Sequence, residues 1–406
     1  MPLADLRVRS IVRAVADAAN RWSDADFPPR VRALDAVCAR TGYSVPVVEY
    51  ALDRLFASIS ADALEAVIAA ELGSLDALDC FVERPGRPAA RAFPIGRVCI
   101  ISSRTTVGVA LVPAIFALCA KCEVLVKDRE DRLVEAFFST LVQEHEAFAT
   151  AAAAQAWDGA AREHHLDTFD CVVAFGNDAT LAGIAATLSP NARFVPYGSR
   201  ASVGYVSREA LGNDRDVREL AERAARDLVL YDTEGCLSLH ALFVERGGAV
   251  TPAEFGGVLA RAVERASIEF PPGDAAPHGS FRVAAARDLA AFRGAIGRGA
   301  VYADAAATYC LAVDPPIDEP PAFLPRTLAV RGVDAPEEAL AYVAAHGIAI
   351  EAIAVAGSRP ELRETLARAR VARLTRFGEL QSPPLGAYHG GRPRIAEFVR
   401  WTGDET

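Results

Sequence analysis

Gly235-Cys236 is the pair of residues in this chain best suited to covalent chemistry. The segment Tyr231-Asp232-Thr233-Glu234-Gly235-Cys236-Leu237-Ser238-Leu239-His240 follows a helical pattern over residues 216–230 and precedes a strand-like run over 241–245. A thiol placed there sits in a turn, and the glycine beside it lets a carbonyl compound approach the backbone. Sulfur in such a setting can attack as thiolate and hold an acyl group. The competing reading is a small buried hydrophobe, which most free cysteines are, and the local sequence leaves both open. His240 lies four residues beyond Cys236. A turn and a strand seldom bring an imidazole back to the thiol over that distance, so a protease-like pair is not favoured. His164, His165 and His389 lack carboxylate or cysteine neighbours at ligand spacing, and no metal centre is expected from them.

The elements that must position this cysteine read as alternating strands and helices. Strands over 97–102, 123–127, 169–175 and 193–195 alternate with helices over 107–120, 133–144 and 178–188. That order predicts a parallel sheet with right-handed crossovers. Ligands on such a sheet lie beyond the carboxyl ends of its strands, so residues 102–108, 127–132 and 175–180 are expected to share one crevice. No Gly-x-Gly-x-x-Gly follows the first strand. Lys127, with Arg129 and Arg132 behind it, offers cations suited to phosphate, against the alternative of a solvated basic helix start. Phe175-Gly176-Asn177-Asp178-Ala179-Thr180 reads as a strand-turn-helix in which Asp178 caps the helix and first-turn N–H groups favour an anion. The plain alternative is a turn that needs glycine for its geometry. A second half begins near residue 203, with helices over 216–230 and 252–266 around the cysteine segment.

Residues 5–72 are helical in periodicity, with Leu6, Val8, Ile11, Val12, Val15 and Ala19 on one face and Ser44 placed to cap a segment containing Val47, Val48, Ala51 and Leu55. The Pro-rich patch at 84–88 marks a boundary. The expected organisation is a helical N-terminal region over 1–90, a cofactor-binding domain over 91–205, a catalytic domain over 206–385 and a tail over 386–406 that packs back on the core. Cys119-Ala120-Lys121-Cys122 has no second cysteine pair and reads as packing.

Composition narrows the partners. With 51% apolar and 24% charged residues over 406 positions, the chain has the make-up of a soluble globular protein of more than one domain. A net charge of -10 argues against nucleic acid or an anionic membrane as main partner. No run approaches the about 18 apolar residues of a membrane span, and residues 1–20 mix charges through the apolar positions, so a cytoplasmic protein is expected. Its eight cysteines are expected to stay reduced.

Two segments carry a family resemblance. Gly235-Cys236-Leu237-Ser238 behind Tyr231-Asp232 is the first. Arg376-Phe377-Gly378-Glu379-Leu380-Gln381-Ser382-Pro383-Pro384, followed by His389-Gly390-Gly391 and Phe398-Val399-Arg400-Trp401, is the second. Together they resemble the LuxC-type acyl-CoA reductases, a branch of the aldehyde dehydrogenase superfamily that reduces fatty acyl thioesters to aldehydes. The similarity runs from about residue 93 to the C-terminus.

The resemblance implies an α/β, aldehyde-dehydrogenase-like fold: a Rossmann-type parallel-sheet cofactor domain plus an α/β catalytic domain. It implies Cys236 as nucleophile, Lys127 near the adenosine ribose, and Gly176 and Asn177 under the cofactor pyrophosphate. The basic residues after Lys127 favour NADPH, with NADH as the alternative. Gly198 and Ser199, within Tyr197-Gly198-Ser199-Arg200, fall where typical aldehyde dehydrogenases carry Glu-Leu-Gly-Gly-Lys. Val195-Pro196-Tyr197 stands in place of that glutamate. Hydrolytic members use the carboxylate to activate water, so its absence favours an acylating or reductive enzyme. Ser102-Ser103-Arg104-Thr105-Thr106-Val107-Gly108 falls where the superfamily has an oxyanion-holding asparagine. Either Arg104 or a neighbouring threonine donates instead, or the site is altered; the Ser-Arg pair also resembles the glutamyl phosphate reductases, which would set Arg104 against an anionic substrate group or cofactor phosphate, and the plain alternative is an exposed arginine without a role. The strand and helix over 324–330 and 335–340 resemble those after the family's second cofactor-binding carboxylate. The nearest glutamate, Glu319, lies in a loop with five prolines over 314–325 and receives no role. The implied partners are an acyl-CoA or acyl-carrier thioester and further copies of the chain in a homo-oligomer. The alternatives are an acyl phosphate reductase and a non-catalytic homologue that serves as a scaffold.

Overall fold

The computed structural model describes residues 2–103, 106–128, 132–157, 166–274 and 277–406, with backbone alone at 277–280. Arg104, Thr105, Arg129, His164 and His165 therefore lie outside the described residues. The chain forms two compact units, one of Met1–Thr41, Val48–Ser199 and Pro384–Thr406, the other of Gly42–Val47 and Arg200–Pro383.

Helical periodicity builds the start of the chain: α1 (Val8–Trp22), α2 (Pro28–Thr41), α3 (Val45–Ala57) and α4 (Ala61–Leu72). On α1 the residues Val8, Ile11, Val12, Val15, Ala19 and Trp22 recur every three or four positions and are all buried, each large one gaining roughly 1.5–3 kcal/mol from leaving water. The helix has no side-chain cap of its own. Its first N–H, from Val8, donates to the Asp79 carboxylate at 3.2 Å, and that carboxylate also pairs with the buried Lys121 ammonium at 2.6 Å. Ser44 does not cap α3; its hydroxyl donates to the Pro271 carbonyl at 2.7 Å.

After the hairpin strands β1 (Val82–Arg84) and β2 (Arg87–Pro94), the alternation of the first unit begins. Strand β3 (Arg97–Ile101) leads to α5 (Leu111–Cys119), β4 (Glu123–Lys127) to α6 (Leu133–Glu144), and the short α7 (Phe148–Ala151) to β5 (Ala152–Gln155). Strand β6 (Cys171–Phe175), α8 (Asp178–Ala185) and β7 (Arg193–Tyr197) complete a parallel sheet in the order β5-β4-β3-β6-β7. The helix expected over 107–120 starts four residues later, at Leu111. Strand β5, an alanine run, was not expected at all. Strand β6 is buried along its whole length, as a central parallel strand covered on both faces must be. Cys119 and Cys122 are both buried in this packing.

The second unit repeats the theme. Its elements are β8 (Ala201–Val206), α9 (Asp214–Val229), β9 (Leu239–Glu245), α10 (Pro252–Glu269), α11 (Pro277–Ala295), β10 (Ala300–Ala303), β11 (Cys310–Val313), β12 (Thr327–Val333), α12 (Pro336–Ala345), β13 (Ile350–Ala356), α13 (Pro360–Ala367) and β14 (Arg373–Thr375). The sheet order is β10-β11-β12-β9-β8-β13-β14, parallel except for the β10–β11 pair. Asn213 caps α9 through its side chain, and Thr251 with Glu254 forms a reciprocal capping box at the start of α10. The chain then returns to the first unit, where β15 (Val399–Asp404) pairs antiparallel with β2. Among the described residues no helix is long and apolar enough to cross a membrane.

Candidate active site

The approach to the cysteine starts where α9 stops. Tyr231, Asp232 and Thr233 carry φ values of 56°, 48° and 61°, three successive left-handed residues without a glycine among them. Each such residue costs about 1–2 kcal/mol for an L-amino acid, so neighbours must hold the backbone there. Asp232 pairs with the buried Arg326, Nε to Oδ1 at 2.7 Å, and Tyr43 meets the Tyr231 ring edge-on at 5.7 Å. Burial lowers the Arg326 pKa and the Asp232 charge opposes that fall.

Cys236 follows in a turn and is half-buried. The turn is tied down through its carbonyls. The Ser202 hydroxyl on β8 donates to the Cys236 carbonyl at 2.8 Å, and the Gly235 carbonyl accepts the Ser238 N–H at 3.0 Å and faces His240 Nε2 at 3.1 Å. The second matching segment arrives from far along the chain. Gln381 Nε2 donates to the Ser238 hydroxyl at 2.8 Å, while the N–H groups of Gly378 and Leu380 donate to the Asp227 carboxylate at 2.7 and 3.1 Å. Gly378, Leu380 and Gln381 of the second segment thus meet the end of α9 and the far side of the cysteine turn.

The electrostatics oppose a resting thiolate. Although part of Cys236 is exposed, enough protein surrounds the sulfur to push its pKa up to about 12, with the Glu351 charge adding to the rise and Arg200 and Arg373 opposing it. Glu351 is itself buried, 3.7 Å from Arg200. Burial also drives His240 down to about 4, so its imidazole is neutral, with Nε2 as donor to Gly235 and Nδ1 without a partner among the described residues. A neutral ring bound to a backbone carbonyl serves the turn and leaves the thiol proton alone.

In the first unit, Lys127 ends β4 and Gly176 and Asn177 join β6 to α8. These positions lie at the carboxyl ends of the parallel strands, the usual place for a nucleotide. Asn177, not Asp178, caps α8: its side chain accepts the Thr180 N–H at 2.9 Å, and Asp178 is the first helical residue. Remaining first-turn N–H groups have no partner inside the helix, which suits a pyrophosphate. Gly176 is packed closely, since a Cβ there would lie 3.3 Å from Thr180, and one at Gly198 would lie 3.0 Å from the Asp178 carboxylate. Ser199 is exposed at the end of this unit. Lys127 is not a solvated helix start. It is 3% exposed, with its ammonium 5.0 Å from the Trp157 ring centre, a cation–π contact. Tyr197 stacks on Phe175 at 4.9 Å and on His389 at 4.2 Å in a three-ring cluster whose other two rings are 5.6 Å apart. A cation, a capped helix start and glycines at the strand ends together fit a dinucleotide. Arg104, expected near the oxyanion, lies outside the described residues.

Solved structures similar to this one are aldehyde dehydrogenases and their kin. A NAD-dependent benzaldehyde dehydrogenase from Corynebacterium glutamicum superposes with a TM-score of 0.70 at 14% identity, over 100% of this chain and 86% of that one. An oxidoreductase from Marinobacter aquaeolei gives 0.72 at 14% identity over 99% and 85%. The glyceraldehyde-3-phosphate dehydrogenase from Methanocaldococcus jannaschii complexed with NADP gives 0.70 at 10% identity over 98% and 90%. No curated protein sequence matches the chain. The model of the acyl-CoA reductase (LuxC) family matches residues 3–401. The chain belongs to the LuxC acyl-CoA reductase family. The aldehyde-dehydrogenase-like α/β fold expected from sequence is therefore present, and this LuxC-family protein is an oxidoreductase of acyl-to-aldehyde chemistry. Two neighbours of its cysteine went unnoticed in the sequence, Glu351 and Ser202. Glu351 had a visible signal, a lone charge in the apolar strand Ile350-Glu351-Ala352-Ile353.

Proposed function

We propose that this LuxC-family protein reduces an acyl thioester, carried on coenzyme A or an acyl carrier, to the aldehyde through a thioester on Cys236, with NADPH as reductant. The observation that carries the reading is the Cys236 turn, held through Ser202, His240 and Gln381, with Cys236 itself only partly buried. The sulfur attacks the thioester carbonyl as thiolate, the carrier thiolate leaves, and the acyl group remains on Cys236. A raised thiol pKa means the proton leaves as substrate arrives. The Cys236 backbone N–H holds the oxyanion. Bound NADPH supplies a hydride, and Lys127, Gly176, Asn177, Gly198 and Ser199 would hold it. With a hydride added, the carbon–sulfur bond breaks, the aldehyde departs and the thiolate is restored. Val195-Pro196-Tyr197 in place of the glutamate of hydrolytic members favours reduction over release of an acid. A homo-oligomer, by analogy with the family, working in the cytoplasm completes the reading.

The test is Cys236→Ser, assayed by NADPH consumption with acyl-CoA and with acyl phosphate. The expected result is loss of at least about a thousandfold in thioester reduction with NADPH binding kept. Reduction at the wild-type rate would overturn the assignment, and preference for acyl phosphate would move the substrate class.

A further inference from the structure

Arg326 stands 94 positions beyond Asp232 in sequence, yet it supplies most of what fixes the approach to Cys236. All three of its guanidinium nitrogens donate: Nε to Asp232 Oδ1 at 2.7 Å, Nη1 to the Ser267 hydroxyl at 3.0 Å and Nη2 to the Phe270 carbonyl at 2.8 Å. Its backbone N–H donates to the Thr233 hydroxyl at 3.1 Å, and that hydroxyl donates to the Leu228 carbonyl at 2.8 Å. The second oxygen of Asp232 accepts the Gly273 N–H at 2.9 Å. The side chain of Arg326 is 1% exposed. The bonds to Asp232 and Thr233 fall on two of the three left-handed residues before Gly235-Cys236, while those to Ser267 and Phe270 hold the guanidinium itself in place.

A buried ion pair is a poor device for stability, because apolar side chains of the same volume usually do as well. Strained backbone held by such a pair is a device for geometry, and strain of this kind clusters where a reactive group must be aimed. A tyrosine and a β-branched threonine in the left-handed region would relax to ordinary backbone if released, and the cysteine three residues on would turn with them. We infer that Asp232 and Arg326 are positioning residues for the reaction at Cys236: their pair locks the left-handed turn so that the sulfur meets the acyl carbonyl along its line of attack. Neither residue touches the reacting atoms. The inference rests on Cys236 as the nucleophile. It requires the planar fork of arginine, which a lysine cannot reproduce.

The experiment compares full-length wild type, Arg326→Lys and Asp232→Asn in two reactions. One is acyl transfer from acyl-CoA without NADPH, read as coenzyme A release and as the mass of the acylated Cys236 peptide. The other is alkylation of Cys236 by iodoacetamide, a small reagent with little demand on approach. Both variants are expected to lose roughly 10- to 100-fold in acyl transfer, with the KM for acyl-CoA and the alkylation rate within about threefold of wild type. Acyl transfer within about twofold of wild type would overturn the inference. So would a joint fall of acyl transfer, alkylation and melting temperature, which a merely structural pair would give. If Arg326→Lys does not fold, Ser267→Ala, which removes one bond of the set, is held to the same criteria. Should wild type take up no acyl group on Cys236, the proposed function itself fails. If wild type acylates and both variants keep pace with it, only the positioning role falls.

Discussion

Gln381 and Ser238 are joined side chain to side chain, Nε2 to Oγ at 2.8 Å, with 143 positions between them in sequence. The amide also reaches the Asp227 carbonyl at 3.4 Å, so one glutamine ties the end of α9 to the far side of the cysteine turn. Both partners are buried, and a buried hydroxyl or amide without a partner costs about 1–3 kcal/mol.

Gln381→Ala is therefore expected to lower stability by about 1–3 kcal/mol in urea unfolding and to slow acyl transfer, since the turn loses its outer tie. Gln381→Glu keeps the volume but places a carboxylate beside the Ser238 hydroxyl and the Asp227 carbonyl, and should be worse than alanine. A glutamate variant as stable as wild type would show that the amide does not fix the turn.

Alkylation of Cys236 is expected to rise with pH without levelling off below about pH 10, because the thiol is raised to about 12 and the thiolate fraction grows about tenfold per pH unit beneath that. The sign follows from burial, which favours the neutral form. Glu351→Gln removes the like charge that adds to the rise and leaves Arg200 beside the sulfur, so labelling at pH 8 should speed up several-fold. Iodoacetamide kinetics followed by peptide mass report both effects. A plateau near pH 7 in the wild type would mean that the sulfur is far better solvated.

Asn177→Ala should cost α8 about 1 kcal/mol and raise the KM for NADPH while leaving acyl transfer from acyl-CoA unaltered. Lys127→Met should weaken NADPH more than NADH, because an ammonium contributes most to an extra phosphate. Fluorescence titration with the two nucleotides separates the effects. Equal weakening of both would assign Lys127 to the ribose hydroxyls or to packing on Trp157.

Much of this architecture was legible from periodicity. The alternation of short apolar runs with helices of about a dozen residues located β3, β4, β6, α6 and α9, since a parallel strand covered on both faces can hardly be written any other way. Strand β5 escaped because Ala152-Ala153-Ala154 favours helix on its own and becomes a strand only beside β4. Missing β5 also hid the fate of Lys127, as Trp157 follows that strand and brings its ring to the ammonium. Asn177 and Asp178 are equally good caps, so residue type alone could not choose between them; the first helical residue decides. The left-handed run over Tyr231, Asp232 and Thr233 left no trace in residue type, because no glycine marks it. Only its distant partner Arg326 explains it, and pairings across such separations are invisible to local patterns.

The first unit is interrupted: the chain leaves it after Ser199 and comes back only at Pro384, with β15 completing the three-stranded sheet of β1 and β2. On the ribosome, the stretch bearing the cysteine is then fully made while its host still lacks an edge strand. Domains tend to fold as they emerge, so the unit bearing the cysteine can mature before the three-stranded sheet of β1, β2 and β15 is complete.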